Sequence, residues 1–197
     1  MWTKELLGTD VYHLVAAFVM YSMMGWLVES IYMSFCNRKL TNRGFGKGPF
    51  CPIYGFGAVI GYLILCPLKG QYVKLYVSGA ILATAFEFLV GCSMIRFLGQ
   101  LWWDYNEKPF NYKGIICLES TIAWGFYAVG IVQFLQRIVY HMIDRVDFAL
   151  GVRLIKIILF GVAVDYMIQL LRVFQIDLKE KKNNVKERCQ SFIARWS

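Results

Sequence analysis

YVKLYVSGAILATAFEFLVGCSMIRFLGQLWW, residues 72–103, decides the fold. Its only charged residues are Lys74, Glu87 and Arg96. A helix that crosses a bilayer needs about 20 mostly apolar residues. This run exceeds that: as a helix it would reach roughly 48 Å against a hydrocarbon core of ~30 Å, an excess that tilt absorbs in part. Trp102 and Trp103 at its end suit the aromatic belt of a membrane interface.

Runs of the same kind lie on either side. The sequence predicts spans at about Val11–Phe35, Phe50–Leu68, Ile115–Val139 and Leu150–Phe174, with the quoted run third of five. The first is longer than the 7–15-residue core of a signal peptide and contains Glu29, so it reads as a retained span. Composition agrees: 58% of the 197 residues are hydrophobic and 17% charged, against about 25% charged in soluble domains. The expected fold is an all-α transmembrane bundle over residues 1–176, followed by a basic tail, 177–197. Val185, Phe192, Ile193 and Trp196 would let that tail lie on the membrane as an amphipathic helix. No room is left for a soluble catalytic or nucleotide-binding module.

The net charge of +8 reads as orientation rather than as affinity for nucleic acid, because Lys and Arg gather on the cytoplasmic side. Two thirds of the 21 basic residues fall on the side of the first loop, the third loop and the tail. A multi-pass cell-membrane protein with its N-terminus outside and its tail in the cytoplasm is expected. The six cysteines form no CxxC pair and mostly lie in or beside apolar runs, as buried reduced thiols do. His13 and His141 have no carboxylate or Cys at metal spacing. Neither a metal nor another cofactor is expected.

Intramembrane ionisable groups cost roughly 2.5–3.5 kcal/mol at a helix centre and so face the bundle interior or a cavity. Glu87 and Asp165 fall near the middle of spans three and five. Glu29, Glu119 and Arg96 fall at a similar depth nearer the cytoplasmic ends, where they could pair. Gly79, Ala83, Glu87 and Gly91 recur every four residues, placing Glu87 on a small-residue stripe that a neighbouring helix can approach. Gly161, Asp165, Gln169 and Arg172 likewise share a face of span five. These five ionisable residues are the candidates for a substrate, ion or proton site; the alternative is that they only tie helices together. Loop candidates are Asn42, Arg43, Lys47, Tyr54, Trp103, Asp104 and Asn111. The segment Asn42–Pro49 is no Walker A loop, since Lys47 is followed by Gly48 rather than Ser or Thr. It reads as a basic turn near anionic lipid or a weak anion site.

A repeat is also legible. Glu29 and Glu87 are each followed by a loop with Asn and Gly, then a Cys (Cys51, Cys117), then an aromatic-Gly-Phe: Tyr54-Gly55-Phe56 and Trp124-Gly125-Phe126. The two units would be parallel two-helix repeats, although their internal spacings differ and chance similarity competes with that reading.

These motifs carry a resemblance. Gly25-Trp26-Leu27-Val28-Glu29-Ser30, Asn42-Arg43-Gly44-Phe45, Pro52-Ile53-Tyr54-Gly55, Glu87-Phe88, Trp103-Asp104-Tyr105, Pro109-Phe110-Asn111 and Trp124-Gly125 resemble the CmpB family of ABC-transporter-type permeases, over about Tyr21–Gly130. The resemblance implies a permease subunit. The chain has no ATP-binding cassette of its own, so the expected partners are such a subunit, further copies of this chain and the lipid bilayer. Two other readings stay open. One is a membrane-embedded enzyme acting on lipid or isoprenoid, with Glu29, Glu119 and Asp104 as acid/base candidates and Arg43 and Lys47 holding a phosphate. The other is a scaffold or sensor without chemistry.

Overall fold

The computed structural model describes residues 2–6, 8–42 and 44–193, without the side chains of 5, 6 and 174–193. Strands β1 (Glu5–Leu6) and β2 (Thr9–Asp10) pair antiparallel. Asp10 then caps α1 (Val11–Asn37) by accepting the His13 N–H, which satisfies one of the open donors of the first turn. α2 (Pro52–Leu65) starts with proline in its first turn and ends in a single 3-10 turn, Cys66–Leu68. α3 is Tyr72–Leu98. β3 (Asn111–Tyr112) pairs with β4 (Ile116–Cys117) and leads into α4 (Leu118–Gly130). One π-helical segment, Ile131–Leu135, joins α4 to α5 (Gln136–Asp144). α6 runs from Phe148 to Ile193.

The bundle is all-α apart from these two-residue strands. Val11–Asn37, Tyr72–Leu98, Leu118–Asp144 and Phe148–Val173 are long and apolar enough to cross a membrane. The expected second span, Pro52–Leu68, is a shorter apolar helix of roughly 27 Å. The quoted run is shorter as a helix than its hydrophobicity predicts. Gly99 adopts φ 70° and returns its N–H to the Ile95 carbonyl at 3.1 Å, the left-handed stop that glycine takes without strain. The fourth span begins at Leu118, because Ile115 sits in the turn of the β3–β4 hairpin. It continues past Val139 to Asp144. The expected amphipathic side of the tail, residues 177–197, lies outside the described side chains.

α1 packs on α2 and α3 on α4, giving two antiparallel hairpins. Glycines make the first approach close. A Cβ at Gly25 would overlap the Tyr54 ring, and one at Gly55 would overlap Ser22 and Phe18. In the second hairpin Gly125 lies against the Tyr76 ring and Gly79 against Ala128. α5 and the start of α6 close over α1, burying Tyr12, Ala17, Tyr21, Val139 and Ile155 with Ala58 of α2. The Cys51 N–H donates to the Ser22 carbonyl at 3.0 Å. α2 therefore begins beside Ser22, about 22 Å short of the end of α1, and loop 38–51 folds back along the bundle.

Candidate functional site

Each hairpin presents one glutamate from its first helix to an aromatic residue of its second. In the first, the Tyr54 hydroxyl donates to Glu29 Oε2 at 2.9 Å. In the second, Trp124 Nε1 donates to Glu87 Oε2 at 3.0 Å. Tyr54 and Trp124 hold matching places in the aromatic-Gly-Phe motifs, and their ring centroids are 6.2 Å apart. The two hairpins thus meet at these rings.

Glu87 is 5% exposed. Besides Trp124 it accepts from the Tyr105 hydroxyl at 3.0 Å (Oε1) and from Ser120 Oγ at 3.3 Å (Oε2). The four-residue stripe accounts for its position: Gly79 and Gly91 are buried, and a Cβ at either would overlap Ala128 or Ile115. α4 and its entry loop therefore come close enough for Tyr105 and Trp124 to donate to one carboxylate, with the Ser120 hydroxyl shared between it and the Cys117 carbonyl at 2.9 Å. This meets the requirement that a buried polar group be hydrogen-bonded. Tyr105 belongs to the loop after α3. Burial, with the Glu87 charge beside it, pushes its hydroxyl far above the ordinary tyrosine range, so it stays a proton donor.

Both carboxylates line a cavity of about 420 Å³ between the hairpins. Its wall is mostly apolar, with Met24, Ala58, Leu82 and Phe86 among the contributors, and the π-helical residues Ile131, Val132 and Leu135 close one end. Such a segment often marks a functional position in a helix. Among the described residues, no Lys or Arg lines the cavity. Val28, Ile60 and Leu89 line it and are exposed, so the cavity is not sealed from the surface.

The other expected residues lie elsewhere. Glu119 pairs with Lys108 at 2.8 Å, and Arg96 is exposed with no ion-pair partner among the described residues. The expected Glu29–Glu119–Arg96 cluster therefore does not form: similar depth does not give the same azimuth, and Glu119 in the first turn of α4 faces outward. Asp165 is not in mid-bundle surroundings. Its Oδ2 accepts the Gly48 N–H at 3.0 Å and its Oδ1 accepts Gln169 Nε2 at 3.3 Å, so it clamps loop 38–51 to α6. Phe45 in that loop stacks on Trp102 at 4.7 Å and meets Tyr166 edge-on. Asn42 accepts from Trp26 Nε1 at 2.6 Å and donates to the Lys47 carbonyl; the Lys47 side chain is exposed. Trp103 donates to the Ile115 carbonyl at 2.8 Å. Asp104 and Asn111 build turns, through Asn106 N–H at 2.9 Å and Gly114 N–H at 3.2 Å respectively. Arg43 lies outside the described residues.

Sequence reasoning missed Tyr105 and Ser120, and it gave Trp124 no role at the site although the repeat pointed to it. It also missed a bridge at the opposite end. His13 Nδ1 lies 2.8 Å from Asp10 Oδ2, and Nε2 lies 2.9 Å from Asp144 Oδ1. Asp10 was hidden as a helix cap, and Asp144 is far off in sequence.

Comparison with known proteins bears on this arrangement. A family model, ABC_trans_CmpB, described as "Putative ABC-transporter type IV", matches residues 16–170. That match covers α1 to most of the apolar part of α6, a longer stretch than the motifs of Tyr21–Gly130 alone. No curated protein and no solved structure matches the chain.

Proposed function

The chain belongs to the CmpB family of ABC-transporter type IV proteins, and from that premise we propose that it is the membrane subunit of a transporter whose substrate site is the Glu29–Glu87 cavity. One observation carries the reading. Two separate hairpins each deliver a carboxylate and a hydrogen-bonding aromatic to the same cavity. These residues tie helices together and at the same time border an open volume. Intramembrane ionisable groups that line a cavity mark a transport path by default.

In this reading Tyr54, Tyr105, Ser120 and Trp124 hold the carboxylates in place, and Glu29 and Glu87 contact substrate. The loop end of the bundle, where Phe45, Trp102 and Tyr166 pack together, faces the cytoplasm and an ATP-binding cassette subunit, in keeping with the excess of Lys and Arg there. Five helices are few for a complete path, so copies of the chain associate. The reading is tested by affinity purification of the tagged protein from its native membrane in mild detergent, followed by mass spectrometry. An ATP-binding cassette subunit in stoichiometric amount is expected. Recovery of the chain alone, or only with copies of itself, would contradict the ABC assignment.

A further inference from the structure

The depth at which the cavity reaches the surface of the bundle limits what enters there. Ala85, the middle residue of α3 (Tyr72–Leu98), is exposed and lines the cavity. α2 meets α3 at that depth, where a Cβ on Gly57 would stand 3.6 Å from the Phe86 ring. Ile60 and Leu89 lie about one turn from that contact along their own helices, and both line the cavity and are exposed. α3 is long and apolar enough to cross a membrane. The middle of such a helix stands in hydrocarbon, about 15 Å from either polar surface. A water-soluble solute does not reach that depth from outside the bundle; a lipid chain is already there. Inside, hydrogen-bonding groups of the wall are engaged with protein partners: Tyr54 donates to Glu29, Trp124 to Glu87 and Tyr21 to Gln136. Most of the remaining wall is carbon, with Met24, Ile53, Leu82 and Phe86 among the contributors. A chain gains little hydrophobic free energy by leaving the bilayer, since lipid tails are as apolar as Leu. What it gains is contact. An empty cavity forfeits the dispersion contacts of the atoms that line it and costs stability in proportion to its volume.

We propose that the cavity binds one hydrocarbon chain of a lipid, which enters past Ile60, Ala85 and Leu89 and lies along Met24, Leu82 and Phe86. Its volume of about 420 Å³ is that of a site for one small molecule, so it takes a single chain and reads that chain whatever head group it carries. That the chain belongs to the transported molecule rests on the cavity being the substrate site; that a chain binds there does not. Gly61 supplies a way to block the chain without touching the carboxylates. It lines the cavity, and a Cβ placed on it meets nothing within 4 Å. Gly61→Phe therefore fills the cavity without a clash at its first atom, and replacing a mid-helix glycine favours the helix.

The test is photolabelling of the full-length protein in phosphatidylcholine vesicles. The vesicles carry either a phosphatidylcholine or a free fatty acid with a diazirine in the middle of its chain, and labelled residues are identified by mass spectrometry. Phe160 of α6 is exposed and reports contact with the surrounding bilayer. Met24 and Leu82 line the cavity and are only partly exposed, so label there, relative to Phe160, reports a chain inside. Label on Met24 and Leu82 is expected in the wild type. In Gly61→Phe it should fall by about fivefold or more relative to Phe160, because a filled, close-packed interior leaves the chain no room. Should Gly61→Phe fail to fold, Gly61→Leu carries the same comparison. Label from the phosphatidylcholine marks a bilayer lipid as the source of the chain; label from the fatty acid alone marks a free single-chain amphiphile. Met24 and Leu82 unlabelled by both reagents while Phe160 is labelled would overturn the proposal, as would unchanged labelling in a Gly61 variant that melts like the wild type. The measurement needs neither an ATPase nor transport. Failure to find an ATP-binding partner would therefore remove the transporter reading and leave the chain site standing; an unlabelled cavity would do the reverse.

Discussion

The hairpins α1–α2 and α3–α4 present the same pair of groups in different settings. In the first, Glu29 is part-exposed beside Tyr54, and the helices touch through Gly25 against the Tyr54 ring. In the second, Glu87 is almost fully buried and takes hydrogen bonds from α4 and from the loop that precedes it. The second glutamate is enclosed by the fold, whereas the first is part-exposed. Two hairpins of similar pattern present one buried and one part-exposed glutamate to the same cavity.

The largest expected effect breaks the first hairpin. Gly25→Leu forces α1 away from Tyr54 and should destabilise by about 3 kcal/mol, the upper range for overpacking. Gly61→Leu, in the same hairpin but facing the cavity, should leave the thermal midpoint in maltoside unchanged or slightly raised. Equal damage from both would mean that the close approach at Gly25 is wrong. Next comes the contrast between the glutamates. Glu87→Ala strands the Tyr105 and Trp124 donors and should cost about 2 kcal/mol, while Glu29→Ala, at a part-exposed position, should cost less. Reversal of that order, read by thermal unfolding in maltoside, would remove the distinction between the buried and the part-exposed glutamate.

A smaller effect belongs to the end of the bundle away from the loops. Burial pushes the Asp10 carboxyl up, but the His13 backbone and ring hydrogen bonds outweigh it and hold the group below its usual range. A depressed carboxylate contributes stability above its unfolded pKa and loses it as pH falls through the folded value. The thermal midpoint should therefore drop on acidification below about pH 4, and Asp10→Asn should remove that part of the drop. An acid limb of the same size in both proteins would contradict the bridge. The smallest effect is at Glu119. Its pair with Lys108 is exposed and screened by solvent, so Glu119→Gln should leave the thermal midpoint unchanged in the same assay. A clear drop in the midpoint would contradict the outward placement of Glu119.

Much of this was legible in the sequence because hydrophobic runs and helical spacing are local properties. Run length predicted the bundle, and the stripe Gly79-Ala83-Glu87-Gly91 predicted which way Glu87 faces. What was not legible depends on how loops return. Tyr105 reaches Glu87 only because Gly99 stops α3 and the turns at Asp104 and Asn111 bring the loop back. Asp165 was placed in mid-span because sequence depth assumes loops that stay outside, whereas loop 38–51 folds inward to meet it. Glu119 and Arg96 share a depth with Glu29 but not a direction, and a span-by-span reading fixes only the former. The matching motifs carried the remaining clue: Tyr54-Gly55-Phe56 and Trp124-Gly125-Phe126, in helices that follow loops of different length, both supply a donor to a glutamate.

The claim that both hairpins close on one cavity is tested most directly by proximity across it. In a cysteine-free background, Tyr54→Cys with Trp124→Cys would be treated in native membranes with a short bifunctional thiol reagent, with Tyr54→Cys and Leu118→Cys treated alongside. Rapid intramolecular cross-linking of the 54–124 pair is the result predicted from rings 6.2 Å apart. No 54–124 cross-link in correctly inserted protein would mean that the hairpins do not share a cavity.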